Sequence, residues 1–374
     1  MTDQLDAAKL TDRVAALVEA AKRAGADAAD AVAVRGRSAG VSVRLGKVEG
    51  TESSESEDVA LRVFVGQRVA SVSATAASNP KALAERAVAM AKVSPEDPYQ
   101  GLADPALLAG KPRDLDLFDA TEVPADALKE AALAAEAAAL AVNGVTNSAG
   151  SSASAGLGGL VLATSHGFVG QYVASRFSRS TSVIAGAGTG MERDYEFSSR
   201  QHFADLDAPE EIGRKAGERA VRRLGARKAA TGPVDVVFDP RVARGIAGHL
   251  AGAINGAAVA RKTSFLRDMM GKQVASAAVT ITDEPLRRRG QASRPFDGEG
   301  VEGQKLLMVD KGVLNHWFLS TSAARELGLV TNGRGARSGS SVSPSSTNLA
   351  IDGQAPRAAA GRRKAGSVGG RQIA

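Results

Sequence analysis

Three stretches between Ala29 and Ala74 return apolar residues at every second position: ADAVAVRGRS, GVSVRLGKVEGTES and DVALRVFVGQRVASVSA. Period two belongs to strands with one buried face. The pattern predicts about four antiparallel strands, with turns at Gly46 and Gly66. Helical spacing flanks the run on both sides. Leu10, Val14, Leu17, Val18 and Ala21 recur at three and four residues between Leu5 and Ala24, and Gly25 follows as a stop. Asn79 and Pro80 supply a cap and a first-turn proline for a helix to about Lys92. Helix, strands and helix in that order predict an α+β domain.

Residues 94–123 are rich in Pro and Asp and read as a long connection. Pro124 to Asn143 is an Ala-rich helix, Val145 to Phe203 an antiparallel meander, and Glu210 to Leu224 an amphipathic helix. The densest signals lie between Val234 and Gly335. VDVVFDP reads as a buried strand, and PRVARGIAGHLAGAIN as a helix opened by Pro240. SAAVTI is a strand, and TDEPLRRRGQASRPFDGEGVEG is an acidic, turn-rich segment. KLLMVDKGVLNHWFL is a hairpin turning at Lys311-Gly312, and SAARELG is a short helix. The expected division is 1–93 for the N-terminal α+β domain, 94–123 for the connection and 124–228 for the middle region. Residues 229–352 form a C-terminal domain, and 353–374 a disordered basic tail.

The chain lacks cysteine, which removes disulfides and thiolate metal ligands and fits a cytoplasmic protein. No window of about 20 apolar residues predicts a membrane span, and the acidic, polar start is not a signal peptide. The net charge of +6 raises the question of nucleic acid. Arg357, Arg362, Arg363, Lys364 and Arg371, with no acid among them, lie in the last 22 residues, leaving about +1 for the remainder. With aromatic residues at 4%, stacking platforms are absent, and nucleic acid is not an expected partner.

Chemistry-bearing motifs are sparse. Gly36, Ser38 and Gly40 give G-x-S-x-G, but between two alternating runs, where a hairpin turn is expected rather than a nucleophile elbow. Gly186, Gly188 and Gly190 lack the following helix that a phosphate cradle needs. His166, His202, His249 and His316 show no metal-binding spacing. Asp283, Glu284, Asp297 and Glu299 form an acidic group able to hold a hard cation. Turn chemistry and ion pairs to Arg287, Arg288 and Arg289 are the preferred reading.

TSFLRDMMGKQVASAAVTITDEP, FDGEGVEGQKLLMVDKGVL and STSAARELGLVTNGRGAR resemble, in order and spacing, the C-terminal domain of the TldD/PmbA (TldE) family. Those proteins were first described as modulators of DNA gyrase and are regarded as a two-subunit metalloprotease. The resemblance covers roughly residues 5–352 and implies a C-terminal domain on a curved, mainly antiparallel sheet flanked by helices. It also implies a metal site: catalytic subunits carry H-E-x-x-x-H on the helix matching Pro240 to Asn255. Here Ala247, Gly248 and Gly252 fall near the ligand positions, and His249 is the single imidazole in that helix. The resemblance therefore implies a TldE/PmbA-like subunit without catalytic or metal residues, binding no cofactor itself. Zinc and the catalytic residues are expected in a TldD-like partner, as a heterodimer acting on unfolded peptides. His249, Asp283, Glu284, Asp297, Glu299, Thr331 and Asn332 are the candidate contacts to substrate or partner.

Two other readings stay open: a stand-alone peptide- or nucleic-acid-binding protein using its basic tail, and a self-sufficient hydrolase assembled from scattered residues. From Ala355 onward the likeness fades. The expectation is an out-of-frame or divergent end in place of the family's last subdomain, with a non-functional truncated member as the alternative reading.

Overall fold

The computed structural model of the chain describes residues 6–353. Its largest element is a six-stranded antiparallel sheet in the order β3-β2-β1-β4-β5-β6. The strands are β1 (Ala28–Arg44), β2 (Lys47–Val65), β3 (Arg68–Thr75), β4 (Val145–Thr164), β5 (Val169–Ala185) and β6 (Glu192–Arg200). β1 pairs with β4 from Asp30 against Thr164 to Val43 against Ser151, so residues on both sides of the 94–123 connection share one sheet. Turns fall at Gly46 (φ 75°) and Gly66 (φ 57°), where a left-handed backbone favours glycine.

Two local expectations change. The alternating run makes three strands, not about four. G-x-S-x-G is no turn: Gly36, Ser38 and Gly40 lie inside β1, paired with Ser56, Ser54 and Glu52 of β2 on one side. On the other side they meet Gly158, Gly156 and Ser154 of β4. With both edges hydrogen-bonded, the strand continues through residues that, in isolation, favour a turn.

Alternation sorts the two faces of the sheet. Ala29, Ala31, Ala33, Val59, Leu61 and Val63 pack with Val14 and Leu17 of α1 (Ala7–Arg23) and Ala84 and Val88 of α2 (Pro80–Val93). Farther along the same face, Val41, Val43 and Ala153 meet Leu128 and Ala132 of α3 (Ala125–Leu140). α3 crosses α4 (Pro209–Arg223) so closely that a Cβ at Gly213 would lie 1.9 Å from the Ala135 carbonyl oxygen. The opposite face carries Val32, Ala60 and Leu162, which cluster with Ala109, Phe168 and Phe296. Helices thus cover one face, and the C-terminal half approaches the other.

That half holds a four-stranded antiparallel sheet in the order β12-β7-β8-β9. Its strands are β7 (Val279–Asp283), β8 (Leu306–Asp310), β9 (Val313–Leu314) and β12 (Leu349–Gly353). Ile254, Met308, Val309, Leu314, Trp317 and Phe318 form its core. Around it lie α5 (Pro240–Ala253), α6 (Gly256–Ala260), α7 (Thr321–Glu326) and a hairpin of β10 (Gly335–Ser338) and β11 (Ser341–Pro344). The β8–β9 turn sits at Lys311 and Gly312, as the sequence predicts, and a Cβ on Gly312 would meet the Ala275 carbonyl oxygen at 2.2 Å. The mixture of antiparallel sheets and flanking helices is the expected α+β class.

VDVVFDP departs from expectation. Among the described residues no strand pairs with it, and its apolar side chains are exposed, Val237 at 94%. Alternating apolar residues prepare a segment for a sheet but do not supply the neighbouring backbone that pairs it. Among the described residues, no helix is long and apolar enough to cross a membrane. The expectations for the basic tail and divergent end concern residues outside those described.

Candidate functional site

α5 carries the positions where the resemblance places metal ligands. Asp239 caps it, accepting a hydrogen bond from the Arg241 backbone N–H at 3.0 Å. Arg241 then clamps the first turn to the edge of the large sheet. Its Nη1 lies 2.9 Å from Asp194 Oδ1, and its guanidinium sits 4.8 Å from the Tyr195 ring centre. Arg244 stacks over Phe197 at 5.2 Å. Replacing Arg241 with alanine removes charged hydrogen bonds to Asp194 and the Tyr195 carbonyl, while Arg223 stays near Asp194. The expected cost is about 2 kcal/mol, read by denaturant unfolding, together with faster amide exchange in α5. Unchanged α5 exchange would show that the clamp does not hold this helix.

Along α5, Ala247 is buried, while Gly248, His249 and Gly252 are exposed. A Cβ built on Gly248 or Gly252 would meet nothing within 4 Å, so no side chain occupies the surface there. Among the described residues, no three His, Cys, Asp or Glu side chains converge to hold a metal ion. His166 is exposed in the β4–β5 turn. His202 Nε2 lies 2.9 Å from the Asp116 carbonyl oxygen. His316 is half-buried, its pKa lowered first by burial and then by Arg334. The donor set does not fit zinc.

The acidic residues occupy two separate interior places. Asp283 Oδ2 accepts a 2.6 Å hydrogen bond from Arg334 Nε, with both side chains fully buried. Thr347 donates to the same carboxylate through its backbone N–H at 2.6 Å and its hydroxyl at 2.8 Å. Asp297 and Glu299 lie where the C-terminal half meets the large sheet. Asp297 accepts from the backbone N–H groups of Glu299 (2.8 Å), Val301 (3.0 Å) and Gly335 (2.7 Å). Glu299 accepts from Thr321 N–H at 2.7 Å and lies 3.7 Å from Arg62. Arg62 and Arg337 both pair with buried Asp30, at 2.5 and 2.9 Å. Burial alone would raise the pKa of Asp30, but the two guanidinium groups outweigh it and hold it low.

The expected pairing with Arg287, Arg288 and Arg289 is corrected. Asp283 and Glu299 find Arg334 and Arg62 instead, whereas Arg288 and Arg289 pair with Asp116. Chain order brings a remote arginine into the core, while the neighbouring arginines point outward. Glu284 is half-buried and bonds Asn348 through its backbone. Thr331 and Asn332 bind the Trp317–Leu319 backbone rather than open space.

Sequence reasoning missed a trough on the open face of the large sheet. A cleft of about 600 Å³ lies over Gly36, Gly156 and Gly158, walled by Tyr172, Gln201 and Arg294. A second cleft, of about 660 Å³, borders the same strands but lies over the opposite face, between Ala39, Ala155 and Phe177 and the Phe118–Pro124 segment. The visible signal was the Gly- and Ser-rich middle of β4, SSASAGLGG, within a long strand.

The chain matches the PmbA/TldA metallopeptidase domain 1 over residues 29–91, the central domain over 118–224 and the C-terminal domain over 231–363. It is 39% identical over 297 residues to Metalloprotease PmbA of Escherichia coli O157:H7, covering 78% of this chain and 66% of that protein. It is 38% identical over 329 residues to the Metalloprotease PmbA homolog of Haemophilus influenzae, covering 87% and 72%. The crystal structure of a candidate modulator of DNA gyrase from Bacteroides thetaiotaomicron superposes with TM-score 0.83 at 26% identity, over 91% of this chain and 76% of that one. TldE from Thermococcus kodakarensis gives TM-score 0.75 over 91% and 77%, and at 20% identity that likeness speaks to the fold alone. Matches to all three domains in chain order, with this identity across most of the chain, mean that the chain belongs to the PmbA/TldD family.

Proposed function

We propose that this chain is the metal-free subunit of a cytoplasmic TldD/TldE-type metalloprotease. A TldD-like partner supplies the H-E-x-x-x-H helix and its zinc, which polarises the scissile carbonyl and activates water. This chain walls the chamber and guides unfolded peptides toward the partner. The observation that carries the reading is α5: where the family's ligands are expected, Ala247, Gly248 and Gly252 offer no donor atom, and His249 stands alone.

The test is affinity purification of the full chain from its native extract, with bound protein and zinc quantified. A stoichiometric partner carrying H-E-x-x-x-H, with about one zinc per pair, is expected. Recovery of the chain alone and metal-free would overturn the subunit reading. Zinc bound to the lone chain would overturn the reading of α5.

A further inference from the structure

The trough contains two unsatisfied groups of complementary kind. Arg294 leaves Nε and Nη2 buried without a hydrogen-bond partner. Gln201 is only 5% exposed, and its Oε1 is likewise buried and unpartnered. Its Nε2 reaches the Gly290 carbonyl at 3.5 Å, the outer limit of a hydrogen bond. Both residues line the same cleft. Two buried guanidinium nitrogens without an acceptor and a buried amide oxygen without a donor each destabilise the empty site. One ligand satisfies both if it presents a carboxylate beside an N–H group.

The floor has the shape for an extended chain. Gly158 pairs with Gly36 across β1 and β4, and a Cβ on Gly158 would meet nothing within 4 Å. The backbone there is open to close approach by another backbone. The floor spans four strands, β1, β2, β4 and β5, giving room for the last residues of an extended chain laid over them.

We infer that this trough binds the C-terminal end of an extended peptide. Arg294 pairs with the terminal carboxylate, and Gln201 Oε1 accepts a backbone N–H of the last residues. The inference deepens the peptide-handling reading above and rests on it. It gives this chain a definite contact, the free C-terminus, and a direction for the bound peptide.

The test uses the full chain alone and an N-terminally fluorescein-labelled hexapeptide of alternating glycine and alanine, as free acid and as C-terminal amide. Anisotropy is expected to show the acid binding at least about tenfold more tightly, the scale of a charged hydrogen bond. Arg294→Gln is expected to abolish that preference. Gly158→Ile, which fills the floor without touching a charge, is expected to weaken both forms by about tenfold or more while circular dichroism and melting temperature stay unchanged. Equal binding of acid and amide, or indifference to both substitutions, overturns the site. Displacement by acetate at the peptide's own concentration also overturns it, because the trough then holds a small carboxylate and no peptide. The two proposals fail separately. A chain that prefers free acids but recovers no partner keeps the site and loses the subunit role. A chain that recovers partner and zinc but ignores the C-terminus does the reverse.

Discussion

Replacing Arg334 with alanine is expected to lower folding stability by about 3–5 kcal/mol, the usual consequence of removing one partner from a buried ion pair. Arg334 and Asp283 are both 0% exposed. Besides Asp283, the guanidinium donates to the Asn332 carbonyl at 2.7 Å and the Gln304 carbonyl at 2.6 Å. Four segments therefore meet on one side chain: the end of β7, the strand approach at Gln304, the loop at Asn332 and, through Asp283, Thr347. Alanine leaves the buried Asp283 carboxylate with Thr347 but without its counter-charge, and the Asn332 and Gln304 carbonyls without this donor. Lysine restores the charge but not the fork of donors, so Arg334→Lys is expected to fall between wild type and alanine. Urea unfolding of the three proteins measures this. A loss below about 1 kcal/mol for alanine would mean that water enters and solvates Asp283.

Arg334 also shows where sequence reading stops. In the sequence NGRGAR is a polar stretch after a short helix, with no apolar periodicity to mark it for burial. In the fold it enters the core and continues as the β10–β11 hairpin, with Arg337 reaching Asp30 of β1. Nothing local marks one arginine for burial and Arg288 for the surface. The difference lies in which distant carboxylate each meets. Glu136 makes the same point inside a helix that reads as merely Ala-rich. It is buried and accepts hydrogen bonds from the Leu45 and Gly46 backbone N–H groups, fixing the β1–β2 turn from 90 residues away.

Periodicity served well where the forces are local. The cap at Asn79, the Pro240 start of α5, the turns at Gly46, Gly66 and Gly312, and the apolar stripe of α1 all read directly. It failed where pairing decides. Gly36 to Gly40 looked like a turn and is mid-strand because β2 and β4 flank it. Val234 to Phe238 looked like a strand and has no strand partner among the described residues. The trough was hidden for the same reason. Its floor comes from β1, β2, β4 and β5, and its wall comes from residues 291–294, nearly a hundred positions after Gln201.

Asp297 is expected to make stability fall as pH rises from about 4 to about 6, by about 3 kcal/mol in total. Burial is the main cause of its raised pKa, and the neighbouring Glu299 carboxylate is the second; together they lift it from 3.8 to about 6. Arg294 and the backbone N–H groups of Glu299 and Val301 pull the other way and lose. The folded protein therefore keeps a proton on Asp297 over a range where the unfolded chain has released it. The unfolded state binds fewer protons there, so this contribution is full below about pH 4 and lost by passage through the folded pKa. Asp30 and Asp119, whose pKa values are held low, act in the opposite sense and lose their contribution only at more acid pH. Glu299→Gln separates the effects. Glutamine can still accept from Thr321 N–H but no longer repels a charged Asp297. The Asp297 carboxyl resonance, followed by carbon-13 NMR, is expected to titrate near 6 in the wild-type chain and lower in the variant. In urea unfolding, the decline between pH 4 and pH 6 should shrink in parallel. A wild-type midpoint near that of an ordinary aspartate would remove this account. So would a midpoint unmoved by Glu299→Gln, since burial would then be acting without the neighbouring charge.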